Sequence, residues 1–78
     1  MILQLKYFGM IAEAIQKEGE TIEFNQNSIQ KLDELLKSTY PHLSNLEYQF
    51  ALNQSLVDGE EVIKDNDEIA LLPPFAGG

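Results

Sequence analysis

The residues Pro73-Pro74-Phe75-Ala76-Gly77-Gly78 close the sequence, and they are its best candidates for chemistry. Two prolines favour an extended backbone and offer no N–H, so they hold a segment away from the body of a domain. Gly77 and Gly78 lack a Cβ and can enter a channel too narrow for any other residue. Six residues reach at most roughly 20 Å, enough to carry a terminal carboxylate into a partner's active site. Phe75 can anchor such an arm in an apolar pocket, with Ala76 as the small link between anchor and glycines. From Ile69 onward there is no charged side chain, which leaves the Gly78 carboxylate as the charge of the segment. A carboxylate is a poor electrophile. Converted to a mixed anhydride with AMP, it accepts attack by a sulfur or nitrogen nucleophile. The sequence as read stops at the second glycine, so the expectation is that Gly78 needs no processing.

The remaining inventory argues against an independent active site. There is one histidine, His42, directly after a proline, with no nucleophile or orienting acid in a recognisable motif near it. It reads as a loop residue. The acids Glu60, Glu61, Asp65, Asp67 and Glu68 do not meet the spacing of a twelve-residue calcium loop and read as a solvated acidic loop. Gly9, Gly19 and Gly59 are isolated and make no phosphate-cradling loop. Without cysteine there is no thiolate nucleophile, cysteine zinc site, iron–sulfur cluster or disulfide framework. No bound metal or cofactor is expected.

Charge narrows the partners. Thirteen acids face five lysines and no arginine, a net charge of −8. Nucleic acid and anionic membranes would repel this surface, and the arginine forks that read bases are missing. A basic protein partner fits. No stretch approaches the roughly 20 apolar residues of a membrane helix, and "MILQLKYFGM" lacks the basic start and long apolar run of a signal peptide. The expectation is a soluble cytoplasmic protein.

The elements that must position the arm are read from periodicity. Seventy-eight residues, 44% of them apolar, make one domain with a modest core. In "ILQLKYF", Leu3, Leu5 and Tyr7 alternate with Gln4 and Lys6, a strand. Ile11, Ala14 and Ile15 suit a short helix that stops at Gly19. "ETIEF" is a second strand. Ser28 caps the clearest helix, whose apolar stripe is Ile29, Leu32, Leu35 and Leu36 and which Pro41 ends. Lys31 stands where a capping box needs Glu or Gln. "YQFALN" is a strand, Asn53-Gln54 a turn, "SLV" a short strand, and "DGEEVIKDND" connecting chain. "EIALL" is the last strand, terminated by the prolines. One main helix over a mixed sheet is an α+β roll. We expect a domain over residues 1–72 and an extended tail over 73–78.

The C-terminal third carries a resemblance. Asn53-Gln54 after a strand, then Asp65-Asn66-Asp67-Glu68-Ile69-Ala70, then Pro73-Pro74 and Gly77-Gly78, are similar to the molybdopterin synthase small subunits. These are sulfur carriers of the ubiquitin-like, β-grasp kind. The opening "KYFGMIAEAI" resembles the family's first strand and short helix, with Ala12-Glu13 where the family often has Arg-Glu, and Asn66 replaces a common glycine. The resemblance implies first and last strands side by side in mid-sheet. It also implies a cycle. A ubiquitin-activating-like adenylyltransferase uses ATP to activate the Gly78 carboxylate, and a sulfur donor converts it to a thiocarboxylate. The tail then delivers sulfur to cyclic pyranopterin monophosphate in the large synthase subunit, two small subunits flanking a dimer of large ones. Catalytic side chains belong to the large subunit in that scheme. Gly78 carries the sulfur, Gly77 is the slender approach, and Pro73 to Phe75 dock. Rival readings are a thiamine-pathway sulfur carrier, a protein modifier joined to lysines, and a binding module with an inert tail. Outside the tail, Leu71 and Leu72 are interface candidates, one of which alternation sends to the core.

Overall fold

The computed structural model describes residues 1–74. In chain order the elements are β1 (Ile2–Tyr7), α1 (Gly9–Ile15), β2 (Gly19–Glu23), α2 (Ile29–Thr39), a 3-10 turn (Pro41–Asn45), β3 (Gln49–Leu52), β4 (Ser55–Val57) and β5 (Glu68–Leu72). The five strands form one sheet in the order β2-β1-β5-β3-β4. β1 and β5 run parallel at its centre, and the other neighbours are antiparallel. This is the β-grasp arrangement.

The alternation in β1 does what its period demands. Leu3, Leu5 and Tyr7 are at most 2% exposed, and the register sets Leu5 beside Ile69 and Tyr7 beside Leu71. Each such residue removed from water contributes roughly 1.5–3 kcal/mol. α2 adds Ile29, Leu32 and Leu36 to the same core. Leu35 departs from the expected stripe and is 39% exposed. At 100° per residue it lies roughly 90° from the centre of the stripe made by the other three, on the flank of the helix.

The start of α2 is more fully satisfied than its sequence indicates. The Ser28 hydroxyl accepts from Lys31 N at 3.2 Å, as a cap should. The N–H groups of Ile29 and Gln30 donate to the carbonyls of Glu61 and Gly59, and Leu32 N donates to Ser28 O. The segment read as connecting chain is therefore docked on the helix. It bridges Ser28 to Val62 and buries Ile63 at 2% exposure. Val62-Ile63, a single apolar pair in a polar run, has no period to show that Ile63 is the buried member. The same holds for Leu43, fully buried by the 3-10 turn that Pro41 opens.

The short helix also ends differently. α1 stops at Gln16, which adopts φ 65° and donates to Ala12 O, three residues before Gly19. Gly19 instead starts β2, where a Cβ would stand 2.6 Å from the carbonyl oxygen of Leu5. The glycine is there because the two backbones approach closely. Ala12, where the family often has arginine, is half-buried and packs against the core.

Candidate functional site

The site is the end of a central strand. β5 is the middle strand of five, held on both sides by β1 and by β3. Its last backbone rungs are Gln49 opposite Leu72, and the N–H of Phe8 donating to Leu71 O at 3.2 Å. Beyond Leu72 the prolines cannot donate, and the ladder stops. Pro73 and Pro74 are half-buried. Pro73 lies against Gly9, and the Gln49 side-chain amide donates to the Pro74 carbonyl at 2.7 Å. Phe75, Ala76, Gly77 and Gly78 lie outside the described residues, so the geometry bears on the root of the arm only.

The opposite end of β5 is fastened by side chains. Asn53 and Gln54 take φ 49° and 74°, the turn expected between β3 and β4. Asn53 Nδ2 donates to Asp67 Oδ1, Asn53 Oδ1 accepts from Glu68 N, and Asn53 N donates to Glu68 O. Asp67 Oδ2 accepts from Lys64 N at 2.7 Å, and Asp65 Oδ1 accepts from Ile2 N at 2.6 Å. These acids serve as turn and strand acceptors rather than as a merely solvated loop. Asn66 takes φ 68°, the conformation in which it stands in for glycine. Among the described residues no group of His, Cys, Asp and Glu side chains could hold a metal ion.

β5 also presents a face that periodicity largely conceals. Leu71 is buried, and Leu72 points to the other side with Glu68 and Ala70. Lys6, Phe8, Ala51, Gln54, Glu68, Ala70 and Leu72 line a shallow depression of about 290 Å³ there. Phe8 is 45% exposed, and Leu56, paired with Ala51, is 64% exposed. An ion pair between Lys6 and Glu68 at 3.1 Å borders this apolar strip. Of the two interface candidates Leu71 and Leu72, the core takes Leu71 and this strip takes Leu72.

The other polar cluster is structural. The hydroxyls of Tyr7 and Tyr40 both donate to Glu20 Oε2, at 2.6 and 2.7 Å, and Lys17 Nζ donates to Glu20 Oε1 and to Tyr40. Burial pushes the Glu20 carboxyl up, but the bonds from Tyr40, Tyr7 and Lys17 outweigh it and leave its pKa below the ordinary value. Burial, then the Glu20 carboxylate, raises the Tyr7 phenol far above its usual range. His42 is exposed beside Glu13, Gln16 and Asn45, and no side-chain hydrogen bond ties it to a catalytic partner among the described residues. Among those residues no helix is long and apolar enough to cross a membrane.

Comparisons with known proteins converge on these features. The chain matches the ThiS family over residues 5–78. The molybdopterin synthase sulfur carrier subunit of Mycobacterium tuberculosis is 34% identical over 76 residues, covering 92% of both chains. In a solved complex of subunits 1 and 2 of molybdopterin-converting factor from Helicobacter pylori, a chain 30% identical superposes with a TM-score of 0.70, covering all of both chains. A molybdopterin converting factor subunit 1 from Pyrococcus furiosus, 21% identical, has the same fold with a TM-score of 0.86 over 95% of this chain and 98% of its own. The family match runs through the strands, the prolines and the diglycine end alike, and by it the chain belongs to the ThiS family, among relatives that are molybdopterin synthase sulfur carrier subunits.

Proposed function

We propose that this chain carries sulfur on its C-terminal carboxylate for the synthesis of molybdopterin. The observation that carries the reading is the likeness to curated sulfur carrier subunits, 34% identical over 92% of both chains, together with a family match that runs through the Pro-Pro and Gly-Gly of the tail. A central strand that aims Pro73 and Pro74 off the sheet supplies the physical basis. The reaction is dictated by the chemistry of a carboxylate. A partner adenylyltransferase joins the Gly78 carboxylate to AMP with release of pyrophosphate from ATP. Hydrosulfide supplied by the sulfur donor then attacks the acyl carbon and AMP leaves, giving a thiocarboxylate. In the large synthase subunit the thiocarboxylate sulfur bonds to a side-chain carbon of cyclic pyranopterin monophosphate as a C–O bond at that carbon breaks. Water then cleaves the resulting thioester, leaving the sulfur on the pterin as a thiol and restoring the Gly78 carboxylate. Gly77 and Ala76 thread the channel, Phe75 anchors, and no cofactor binds the carrier itself.

The open face of the sheet is the docking surface in this reading, and the large subunit is its occupant. Phe8, Ala51, Leu56, Ala70 and Leu72 are continuous with the exit of the arm, and the Helicobacter pylori relative is seen in complex with subunit 2. Two carriers flanking a dimer of large subunits, in the cytoplasm, complete the proposal.

Intact mass after co-expression with adenylating and sulfur-transfer enzymes tests it. Replacing one oxygen by sulfur adds nearly the mass of an oxygen, and oxidised Met1 or Met10 would mimic that shift. The product must therefore react with a thiol-directed alkylator and disappear when Gly78 is deleted. An unalkylated chain beside competent partner enzymes would sink the reading.

A further inference from the structure

Two contacts at the root of the arm bear on how the arm is aimed, taking the sulfur-carrier reading as given. After Leu72 the prolines remove the backbone donors that would continue the sheet. Their carbonyls and their rings remain available. Gln49, the β3 residue opposite Leu72, extends its side chain past the last rung and donates Nε2–H to the Pro74 carbonyl at 2.7 Å. This side-chain bond replaces the rung the prolines cannot make. On the β1 side, Gly9 has φ 56°, and a Cβ there would stand 2.8 Å from Cγ of Pro73. The ring of Pro73 occupies the space a side chain would need. Pro73 is thus held from β1 and Pro74 from β3, on opposite sides of the departing chain.

We propose that Gln49 and Gly9 are positioning residues. Together they fix the direction in which the chain leaves the sheet after Pro74. Four residues follow Pro74, Gly78 among them, and can reach at most roughly 14 Å, so the point and direction of departure limit where the reacting carboxylate can be delivered. Misplacement of that carboxylate costs rate even when binding is intact. Neither residue touches the reacting atoms, and both act through the prolines.

The test uses the full chain with Gln49→Glu, whose carboxylate cannot donate to a carbonyl, and Gln49→Lys, whose ammonium can. Carbon-13 NMR of the isolated protein reads the Pro74 carbonyl, and single-turnover assays with the large subunit read sulfur transfer and affinity separately. The expected result is a shifted Pro74 carbonyl in Gln49→Glu. Its transfer rate falls about three- to tenfold at saturating large subunit, its dissociation constant stays within about twofold, and Gln49→Lys recovers most of the rate. Gly9→Ala should lower the rate similarly, because the methyl group displaces Pro73. An unmoved Pro74 carbonyl in Gln49→Glu overturns the contact. A moved carbonyl with an unchanged rate overturns the positioning role. A wild-type chain that transfers no sulfur sinks the sulfur-carrier reading instead, and the carbonyl shift still decides the clamp.

Discussion

The two ends of β5 are built on opposite plans. At its start, Asn53, Asp65 and Asp67 turn their side chains to backbone groups and to one another, and β1, β3 and the preceding turn are stitched together there. At its finish two prolines end the ladder, and one side-chain amide and one ring contact guide the departing chain. The difference teaches how a small domain presents an arm. A rigid origin comes from securing the strand upstream and in the middle. Release of the chain from the ladder comes from removing the N–H donors at Pro73 and Pro74. Four measurements bear on this contrast, in descending order of effect.

Ile69→Ala strikes the secured middle of the strand. Ile69 is fully buried opposite Leu5, so the change should cost about 2–5 kcal/mol in chemical denaturation. A cost below about 1 kcal/mol would mean that the strand is not the rigid base of the arm. Asn53→Ala against Gln49→Ala compares the ends directly. The Asn53 side chain makes two hydrogen bonds, to Asp67 and to Glu68 N, at a residue with φ 49°, so the substitution should cost about 1–3 kcal/mol. Gln49→Ala should remain within about 0.5 kcal/mol of wild type in the same titration. Equal costs would erase the contrast.

Phe8→Ala tests the exit end as a surface rather than as a support. Its side chain is 45% exposed, so thermal stability should hardly move, while affinity for the large subunit falls about tenfold by calorimetry. Glu20→Gln is the smallest. The Glu20 pKa is lowered on folding, because the bonds from Tyr40, Tyr7 and Lys17 outweigh a burial that raises it. Its contribution is therefore present above the ordinary carboxylate value of 4.5 and lost as pH falls through the lower folded value. Stability of wild type minus variant should be about 1 kcal/mol at pH 7 and shrink below pH 4.5. A difference that stays constant into acid would assign Glu20 no linked proton.

Much of this was legible in residue order. The alternation of Leu3, Leu5 and Tyr7, the cap at Ser28, the Asn53-Gln54 turn and the stop at Pro73 each express a local rule that needs only neighbours in sequence. The expectations for Phe75, Ala76, Gly77 and Gly78 lie outside the described residues. Leu43 and Ile63 were not legible, because each sits in a short, mostly polar stretch with no apolar period, and its burial is set by the elements that close over it. Leu35 and Gly19 were misread because stripe width and close backbone approach belong to the packed pair, not to one segment.

The division between sequence and tertiary structure is one of range. Period, caps, turns and the stop at Pro73 are set by interactions within a few residues, and the sequence by itself determined them. The pairing of β1 with β5, the Gln49 bond to Pro74 and the apolar strip of Phe8, Leu56 and Leu72 join residues many positions apart. Contacts of that kind exist only after loop closure has brought their partners together. For that reason only the tertiary structure decided where the arm leaves the sheet and what surface lies beside it.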